Sequence, residues 1–580
     1  METLAVTDRL PEAATRGPAF DRPLRIGVML DSLTQPRWVE KILRDIVSAP
    51  FLDLAVVVVD ATNDSPAPKP RSWREWLTRQ RAALPFRLWE WYQASDYRRF
   101  REDATDPFVD VDISPLTGRA LVMRVEPLRK KFVDRFAQDD VDRIKDADLD
   151  VMLRFGFRII KGGILSSARF GVWSLHHDDN RAYRGGPALF WEIYERNPES
   201  GTVLQVLTEQ LDGGRVIYRS ISATDFSSLY KNRQATYWKT AEFMLRRLGD
   251  LWQYGWEYLT SLDTYREPDT YARGVFRRPT TWQTMRFLTQ TFAHRVRLKL
   301  VEKLDERWTI AYRRRNVTPT PHYTVLTPPP GKYYADPFVA DHERRTYLFF
   351  EACSVAGRDG VIECIEIHAD GTTSAPERVL ERNYHLSYPS VFRWRGDWYM
   401  VPESGDNRTV ELYRAHDFPR GWQRESILLD DVDARDATLV ECDGRWWMFV
   451  TLCVAGGPRG DELSLFYAPS PLGPWRAHPR NPIVSDATRA RSAGALYVED
   501  GVLVRPAQDC SRGYGYGVVL NRVELLTECE YREQPLSRIL PTWHRGVVAT
   551  HTVNRSGAYE VTDGRLRRYR PRPRNVVRGK

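Results

Sequence analysis

The feature that most constrains the fold is a set of four repeated strand pairs in the C-terminal half of this 580-residue chain. The pairs begin at positions 334, 387, 435 and 492, so the intervals between them are similar. Each combines a short apolar strand, a charged turn and a second strand rich in aromatic or aliphatic residues. Short strands that repeat in this way are typical of propeller blades. With a further hairpin at 547–566, they predict an all-β five-bladed propeller; the alternative is a β-sandwich with accidental similarity.

The N-terminal half has a different pattern. Continuous apolar runs at 24–30 and 52–60 flank an amphipathic helical segment at 38–50, and further apolar strands follow at 148–157 and 171–177. Fully apolar strands that alternate with helices predict an α/β domain with a parallel sheet. The fold class is therefore multidomain, an α/β domain followed by a propeller. The predicted boundaries are a disordered arm at 1–22, the α/β domain at 23–261 with a candidate insertion at 61–140, a helical connector at 262–321, the propeller at 322–567 and a basic tail at 568–580.

Composition excludes several classes of protein. The chain has 85 basic and 77 acidic side chains and no basic stripe outside the tail, which argues against a nucleic-acid partner. It has no uninterrupted apolar run of about 18 residues, so we expect no membrane span. The start of the chain is polar, without the apolar core of a signal peptide, and none of the six cysteines forms a CxxC motif. We therefore expect no metal site of the zinc-ribbon type and a cytoplasmic location. The 19 Trp and 27 Tyr suit short strands or stacking on sugars.

Polar side chains capable of catalysis follow one of the predicted parallel strands. In parallel sheets, ligands bind at the carboxyl ends of strands. A His and an Asp that converge at such an edge suit an acid/base and an orienting carboxylate, here His176 and Asp212. The other residues of this predicted site are Ser174, His177, Asp178, Asp179, Asn180, Arg184 and Gly185.

The segment 177–179 leaves two alternatives open. His and Asp are metal-ligand types, but three adjacent residues rarely all point at one ion. The two aspartates also suit recognition of a cationic or hydroxyl-rich substrate. The alternative for His176 is a purely structural role, in which the ring only forms hydrogen bonds within the fold. The Asp that follows at position 212 favours a catalytic site instead.

The stretch 148–219 resembles the catalytic core of the folate-dependent formyltransferases. Their motif of Asn-x-His, Arg-Gly and Leu-Asp-x-Gly is similar to three elements here, which are Ser174-Leu175-His176, Arg184-Gly185 and Leu211-Asp212-Gly213-Gly214. The family Asn is replaced by Ser174, and the family Ser-Leu-Leu-Pro loop by a polar segment at 177–181. The resemblance implies 10-formyltetrahydrofolate as formyl donor. It also implies that His176 stabilises the oxyanion and moves a proton while Asp212 orients it.

The repeats resemble those of family-43 glycosidases, in which an Asp-Pro supplies the base and later blades a second Asp and an acidic Glu. Asp336-Pro337 and Asp436 are similar to the first two elements. The acidic Glu-Gly-Pro is replaced by Ser492-Ala493-Gly494, so protonation of a leaving oxygen lacks its residue unless Glu351 or Glu403 takes its place.

A second resemblance is to the N-terminal domain of plant glucosamine inositolphosphorylceramide transferases. It is carried by the segments at 505–510, 514–517 and 526–528. It implies a glycan-related context and a central pocket; the alternative role for its residues is hydrogen bonding between blades. The pocket residues implied are Arg491, Arg505, Gln508, Asp509 and Tyr514, together with Asp336, Glu403 and Asp436.

The predicted function is formyl transfer from 10-formyltetrahydrofolate to the amine of an amino sugar or sugar nucleotide, with the propeller positioning the sugar or glycan. The alternative is a glycan-binding or glycan-processing propeller with a non-formylating α/β domain. The sequence does not indicate the oligomeric state.

Overall fold

We analysed a computed structural model of the chain. It describes residues 17–64, 84–130, 132–210, 213–265, 273–301, 305–319, 322–354, 357 and 360–568. The chain divides into two compact units, an N-terminal unit up to His294 that includes Ala455–Pro458, and a C-terminal unit formed by Arg295–Val454 and the residues from Arg459 onward.

The N-terminal unit is built on a seven-stranded sheet with the order β12-β11-β10-β8-β1-β3-β5. Strands β5, β3, β1, β8 and β10 are parallel, and β11 and β12 complete the sheet as an antiparallel hairpin. The strands of the unit are Leu24–Leu30 (β1), Thr34–Pro36 (β2), Leu52–Asp60 (β3), Asp110–Asp112 (β4), Leu121–Val125 (β5), Leu128–Lys130 (β6), Val133–Arg135 (β7), Val151–Arg154 (β8), Ile159–Ile160 (β9), Val172–His176 (β10), Glu199–Val206 (β11) and Arg215–Ala223 (β12). The predicted parallel sheet is confirmed, and β5 of this sheet falls inside the segment that the sequence marked as a candidate insertion.

Helices cover both faces of this sheet. Val57 and Val59 of β3 pack into one buried cluster, whereas Val56 and Val58 pack into a second cluster on the opposite face. This is why β3 is a continuous apolar run rather than an alternating one. Within the described residues, the α-helices are Arg37–Ser48 (α1), Arg87–Phe100 (α2), Ser114–Thr117 (α3), Gln138–Lys145 (α4), Trp191–Glu195 (α5), Leu229–Ser261 (α6) and Thr281–Val301 (α7). No described helix is both long and apolar enough to cross a membrane.

The four predicted strand pairs of the C-terminal unit are antiparallel hairpins with two-residue turns. Both central residues of each turn have positive φ, as in Arg395-Gly396 (51° and 94°) and Asp443-Gly444 (52° and 71°). Such turns match the right-handed twist of the strands that they join. The Arg-Gly turn at 395–396 and the Asp-Gly turns at 443–444 and 500–501 therefore fix the register of three hairpins, whereas the first hairpin turns through Glu343-Arg344.

Each hairpin is extended into a sheet of four or five strands, and the described part of the unit contains five such sheets. The strands are Asp305–Arg314 (β13), Thr324–Leu326 (β14), Lys332–His342 (β15), Arg345–Ser354 (β16), Gly360–Ile367 (β17), Glu377–Leu380 (β18), Ser387–Trp394 (β19), Asp397–Ser404 (β20), Thr409–Asp417 (β21), Arg420–Leu429 (β22), Ala434–Cys442 (β23), Arg445–Leu452 (β24), Glu462–Ala468 (β25), Arg476–Ala477 (β26), Val484–Ser485 (β27), Tyr497–Glu499 (β28), Val502–Asp509 (β29), Gly517–Leu526 (β30), Tyr531–Ile539 (β31), Val547–Ala549 (β32), Val553–Arg555 (β33) and Tyr559–Arg568 (β34).

The fifth sheet joins the two ends of the unit. Its strands are β13 and β14 from the beginning and β32, β33 and β34 from the end, and β13 pairs with β34 along its whole length. Strand β13 lies inside the segment predicted as a helical connector. Its residues Thr309, Ile310, Ala311 and Tyr312 are all buried, which gives the strand a core to pack on.

The same irregularity recurs near the start of three first strands. The register shifts between Ala335 and Phe338 in β15, between Ser387 and Ser390 in β19, and between Arg435 and Thr438 in β23. The residues held there in the left-handed region are Asp336, Tyr388 and Asp436, with φ of 52°, 45° and 51°. A β-bulge of this kind turns a side chain away from the ordinary alternation of the strand.

Candidate functional site

The N-terminal unit brings three polar side chains into one row at the carboxyl ends of its strands. Arg154 of β8 and Ser174 of β10 are Cα partners, and Ser174 is in turn the partner of Gln205 on β11. His176 lies two residues after Ser174, so both side chains point to the same face of the sheet. The parallel-sheet topology thus places these groups at the edge where ligands bind in such folds.

This row lines a cavity of about 330 Å³. That volume lies at the lower end of the range for small-molecule sites. The walls combine apolar side chains with cationic and amide groups. The lining residues are Arg154, Ile159, Ile160, Lys161, Ser174, Leu175, His176, Gly185, Gln205, Leu207, Thr208, Gln210, Gly214 and Val275.

His176 is oriented by the backbone. Its Nε2 lies 3.1 Å from the carbonyl oxygen of Tyr183. Because a carbonyl oxygen only accepts, Nε2 carries the proton in the neutral ring and Nδ1 is the basic nitrogen. The predicted orienting carboxylate, Asp212, lies outside the described residues.

Ser174 is almost fully buried, and its hydroxyl bonds within the protein. It accepts a hydrogen bond from Arg154 Nη1 at 3.1 Å and makes a longer one, of 3.4 Å, to the carbonyl oxygen of Leu175. The serine that stands at the position of the family Asn therefore anchors an arginine at the cavity wall.

The predicted pocket residues of the segment 177–180 lie outside the lining of this cavity. His177 stacks on Tyr237 with ring centroids 3.7 Å apart, and its Nε2 lies 3.1 Å from Thr240 Oγ1. Burial lowers the pKa of His177 to about 3, so the ring is neutral. Asp179 pairs with Arg181 and Arg219.

Asp178 forms a buried carboxyl pair with Glu192 of α5. Asp178 Oδ1 accepts a hydrogen bond of 2.7 Å from the backbone N–H of Leu189, which joins the two ends of the 178–189 loop. Burial, together with the neighbouring carboxyl, raises the pKa of Asp178, and burial raises the pKa of Glu192 to about 8. One proton shared by the two carboxyls accounts for their burial side by side.

The remaining predicted residues of this unit hold the loop in place. Asn180 Oδ1 accepts a hydrogen bond of 3.1 Å from Arg219, and Arg184 donates one of 3.1 Å to the carbonyl oxygen of Arg273. Gly185 has a φ of 98°, and a Cβ atom there would lie 2.2 Å from the carbonyl oxygen of Phe276. Only glycine fits at this point of the cavity wall.

The C-terminal unit contains a second polar cluster, built on the bulged aspartates. Asp436 accepts hydrogen bonds from Arg491 Nε at 2.6 Å and from Gln508 Nε2 at 2.9 Å. Arg491 also reaches Glu403 at 3.5 Å, and Arg435 donates to the other oxygen of Glu403 at 2.8 Å. The carboxylates are thus neutralised by arginines of the same unit.

The other bulged aspartate belongs to a triad that the sequence did not reveal. His551 Nδ1 lies 2.5 Å from Asp563, and its Nε2 lies 3.7 Å from Asp336. Trp308 stacks on the imidazole with ring centroids 4.0 Å apart. Burial alone would lower the pKa of His551, but Asp563 and Asp336 outweigh it and raise the pKa to about 9.

The remaining pocket residues predicted for this unit differ in exposure. Arg505 is fully buried and makes two bonds of 2.7 Å to Glu533. Asp509 accepts hydrogen bonds from the backbone and hydroxyl of Ser511. Tyr514 is 45% exposed and lies under the Arg491 guanidinium at 4.9 Å. Of these residues, Tyr514 presents the most accessible surface for a ligand.

Among the described residues, two groups of side chains bring potential metal-ligand atoms within 4.8 Å of one another. They are Glu351 with Cys353 and His385, and Asp336 with His551 and Asp563. In both, the side chains already contact each other, as in the 3.4 Å approach of His385 to Glu351. Burial, with Asp336 nearby, raises the pKa of Glu351 to about 8.

Several site residues escaped the sequence analysis. Arg154 is the one charged residue in the strand Val151–Arg154, and that position at the carboxyl end of a buried strand was an available signal. Gln205 could be found only from its register with Ser174. His551 lies between the strands β32 and β33 and Asp563 in β34, at the end of the C-terminal unit, whereas Asp336 lies in β15 near its beginning. No local pattern therefore connects them.

Comparison with known proteins gives a family match for most of the C-terminal unit. Residues 301–559 match the family model described as "Glucosamine inositolphosphorylceramide transferase 1, N-terminal". The glucosamine inositolphosphorylceramide transferase 1 of Oryza sativa subsp. japonica is 39% identical over 225 residues, which are 37% of this chain and 30% of the relative. The chain thus spans about a third of the length of that relative.

The formyltransferase likeness is shorter. The methionyl-tRNA formyltransferase of Chlorobium chlorochromatii (strain CaD3) is 32% identical over 74 residues, which are 13% of this chain and 24% of that enzyme. Among solved structures, Zg3597, a family 117 glycoside hydrolase from Zobellia galactanivorans, aligns with 45% of this chain and 91% of its own at 12% identity and a TM-score of 0.32. The chain is therefore similar to a glycan-related transferase family in its C-terminal region and, weakly, to formyltransferases.

Proposed function

We propose that the N-terminal unit is an N-formyltransferase that uses 10-formyltetrahydrofolate and acts on the amine of an amino sugar or sugar nucleotide. The observation that carries the proposal is the cavity at the carboxyl ends of β8 and β10, where His176 and Ser174 lie together. The likeness to formyltransferases and the glycan-related likeness of the C-terminal region support the two halves of the proposal.

The residues of the cavity fit a reduced folate. Ile159, Leu175 and Leu207 supply apolar walls for a flat heterocycle. Gln205 is 4% exposed, and in the part of the chain that the structure describes its Oε1 has no hydrogen-bond partner. A buried acceptor without a partner costs free energy, which an N–H of a ligand would recover.

The bound donor supplies the formyl carbon: the acceptor nitrogen bonds to it, its bond to N10 of the folate breaks, and the proton lost by the amine is balanced by one gained at N10. His176 acts on that proton. Because its Nε2 proton is held by the Tyr183 carbonyl, Nδ1 is the nitrogen that accepts a proton from the amine.

We further propose that the five sheets of the C-terminal unit are the blades of a closed propeller. Consecutive sheets are joined by side-chain bonds, such as Tyr388 to Thr438 at 2.8 Å and Gln508 to Asp436 at 2.9 Å. The fifth sheet reaches the first through Asn554 and the carbonyl oxygen of Pro337, at 2.8 Å, and contacts the fourth through Asn554 and the backbone of Ala495. This cyclic order of contacts supports closure.

The role proposed for this propeller is to bind the sugar or glycan. Its partly exposed Tyr514 suits stacking on a sugar ring. The second candidate function, glycan processing, draws on Glu351, whose raised pKa suits a general acid. Because Asp436 and Glu403 form ion pairs with arginines, a binding role is favoured over hydrolysis.

All six cysteines are free thiols. This state suits the reducing cytoplasm, which we propose as the location of the protein.

The test of the proposed function is mass spectrometry of a panel of amino sugars and amino-sugar nucleotides after incubation with the protein and 10-formyltetrahydrofolate. We expect one acceptor class to gain the mass of one formyl group, with release of tetrahydrofolate. Acetylated amino sugars, which lack a free amine, are the matched control. Absence of formylated product across the panel would refute the proposal.

A further inference from the structure

Arg154 occupies an unusual place for a charged side chain. It ends the strand Val151–Arg154, whose other residues are fully buried, and its side chain enters the wall of the cavity beside Ser174 and His176. A cation at the end of a buried strand loses hydration, so it needs hydrogen-bond acceptors around it. Three hydrogen bonds to such acceptors are among its contacts.

Those acceptors hold the guanidinium in one orientation. Nη2 donates to the carbonyl oxygens of Phe157 at 2.9 Å and Arg158 at 2.5 Å. Nη1 donates to Ser174 Oγ at 3.1 Å. Because two backbone carbonyls bind Nη2 and the guanidinium is planar, Nη1 is fixed on the side of Ser174. The group is thus positioned before any ligand binds.

Ser174 does not replace the family Asn as a hydrogen-bond donor to a ligand. Its hydroxyl has one proton, which is directed to the carbonyl oxygen of Leu175, and its lone pair accepts from Arg154. A fixed donor that does lie at this point of the cavity is the Arg154 guanidinium, 3.1 Å from Ser174 Oγ.

We infer that Arg154 is a catalytic residue that donates a hydrogen bond to the formyl oxygen as negative charge develops on it. The inference rests on the proposed function and adds to it a residue that replaces the missing amide. A donor that is already oriented and charged stabilises such a transition state without reorganisation. His176, in the same cavity, remains the group that takes the proton.

The kinetic test compares Arg154→Gln and Arg154→Lys with the unmodified full-length protein. Loss of one oxyanion donor typically lowers kcat about 10²- to 10³-fold, so we expect a fall of that size for Arg154→Gln with little change in KM. Arg154→Lys keeps the charge but loses the fork, and we expect an intermediate rate. Arg143→Gln, at a largely exposed arginine of α4, is the matched control and should leave kcat unchanged. A rise in KM at unchanged kcat would overturn the inference, since it would make Arg154 a ground-state binding residue.

A spectroscopic test does not depend on turnover. The carbonyl stretch of a stable folate analogue carrying a ¹³C-labelled formyl group is measured by difference infrared spectroscopy in the bound state. We expect a lower frequency in the unmodified protein and in Arg143→Gln than in Arg154→Gln, because the guanidinium polarises the carbonyl. Equal frequencies in all three would overturn the inference.

The two tests separate the two proposals. If the unmodified protein formylates no acceptor, the proposed function fails and the catalytic role inferred for Arg154 fails with it, whatever contact the infrared shift reports. If it does formylate and Arg154→Gln matches it in kcat, the inference fails and the function stands. Melting temperatures of all variants distinguish a chemical effect from loss of the fold, and Arg154→Lys serves if the Gln variant does not fold.

Discussion

The two polar centres of this protein hold their polar side chains differently. At the N-terminal cavity, His176 and Arg154 donate hydrogen bonds to backbone carbonyls, which fix the orientation of both side chains at the cavity wall. In the C-terminal unit, Asp436 and Glu403 are bonded to Arg491 and Arg435. The contrast shows that the density of charged residues is a poor guide to chemistry. What matters is whether the contacts of a group orient it at a cavity or pair it with another buried charge.

The largest effect that would sharpen this contrast is expected for His176→Ala. Removal of a general base typically costs a factor of about 10² to 10⁴ in rate, so single-turnover formyl transfer should fall by that amount. The control is His368→Ala, a 44% exposed histidine beside Glu366 in the C-terminal unit, which should transfer normally. A His176→Ala protein of normal melting temperature and normal rate would contradict the assignment.

The next largest effect is expected on stability, where the buried Arg505 is paired with Glu533. Arg505→Met removes the fully buried partner of Glu533 and leaves Arg489, at 3.2 Å, as a charged partner. The loss should therefore approach, but not exceed, the about 3 to 5 kcal/mol that breaking a buried ion pair typically costs. The free energy of unfolding is measured by urea denaturation, on the transition assigned to the C-terminal unit.

Two controls accompany this variant. Arg505→Met combined with Glu533→Leu should recover most of the loss, because no buried charge remains. Arg420→Met, at an exposed pair with Glu377, should cost no more than about 1 kcal/mol. Equal losses of stability at the buried and the exposed pair would contradict the greater cost expected for breaking a buried ion pair.

A smaller effect is expected from pH. The pKa of His551 is about 9 in the folded protein, against about 6.5 in an unfolded chain. The stabilisation is therefore complete below about pH 6.5 and is lost as the pH rises through 9. Deprotonation of Glu351, with a pKa of about 8, acts in the same direction. Between pH 7 and pH 9 the His551 contribution should fall by about 2 kcal/mol.

The measurement is urea denaturation of the C-terminal unit across this pH range. The variant His551→Gln cannot be protonated, so it should flatten the profile and leave the slope that the raised pKa values of Glu351 and Asp436 supply. A profile unchanged by that variant would refute the assignment of the raised pKa to His551.

The smallest effect is expected for Glu192→Gln. An amide donates to Asp178 as a protonated carboxyl does, so stability near neutral pH should change by less than about 1 kcal/mol. Because the raised pKa of about 8 makes the carboxyl pair less stable as the pH rises, the variant should be the more stable protein above pH 8. Thermal melts at pH 7 and pH 9 measure the difference, and a greater loss of stability in the variant at pH 9 would contradict a shared proton.

The sequence predicted those elements whose pattern is local. The apolar run of β3, the amphipathic face of α1 and the Asp-Gly turn at 443–444 each carry their structure within a few residues. The strand β13 was missed because its partner β34 lies at the opposite end of the C-terminal unit. His176 was found from a motif, whereas Arg154 and Gln205 depend on the register of neighbouring strands, which a single sequence does not display.

The comparison between the two centres can be tested by one paired measurement. Release of tetrahydrofolate from 10-formyltetrahydrofolate, with an amino-sugar acceptor found in the panel, is followed in the unmodified protein, in His176→Ala and in Asp336→Asn. We expect release in the unmodified protein, its loss in His176→Ala, and chemistry retained in Asp336→Asn at saturating acceptor. Turnover that survives His176→Ala but is lost in Asp336→Asn would contradict the proposed function and would place the reaction in the C-terminal unit.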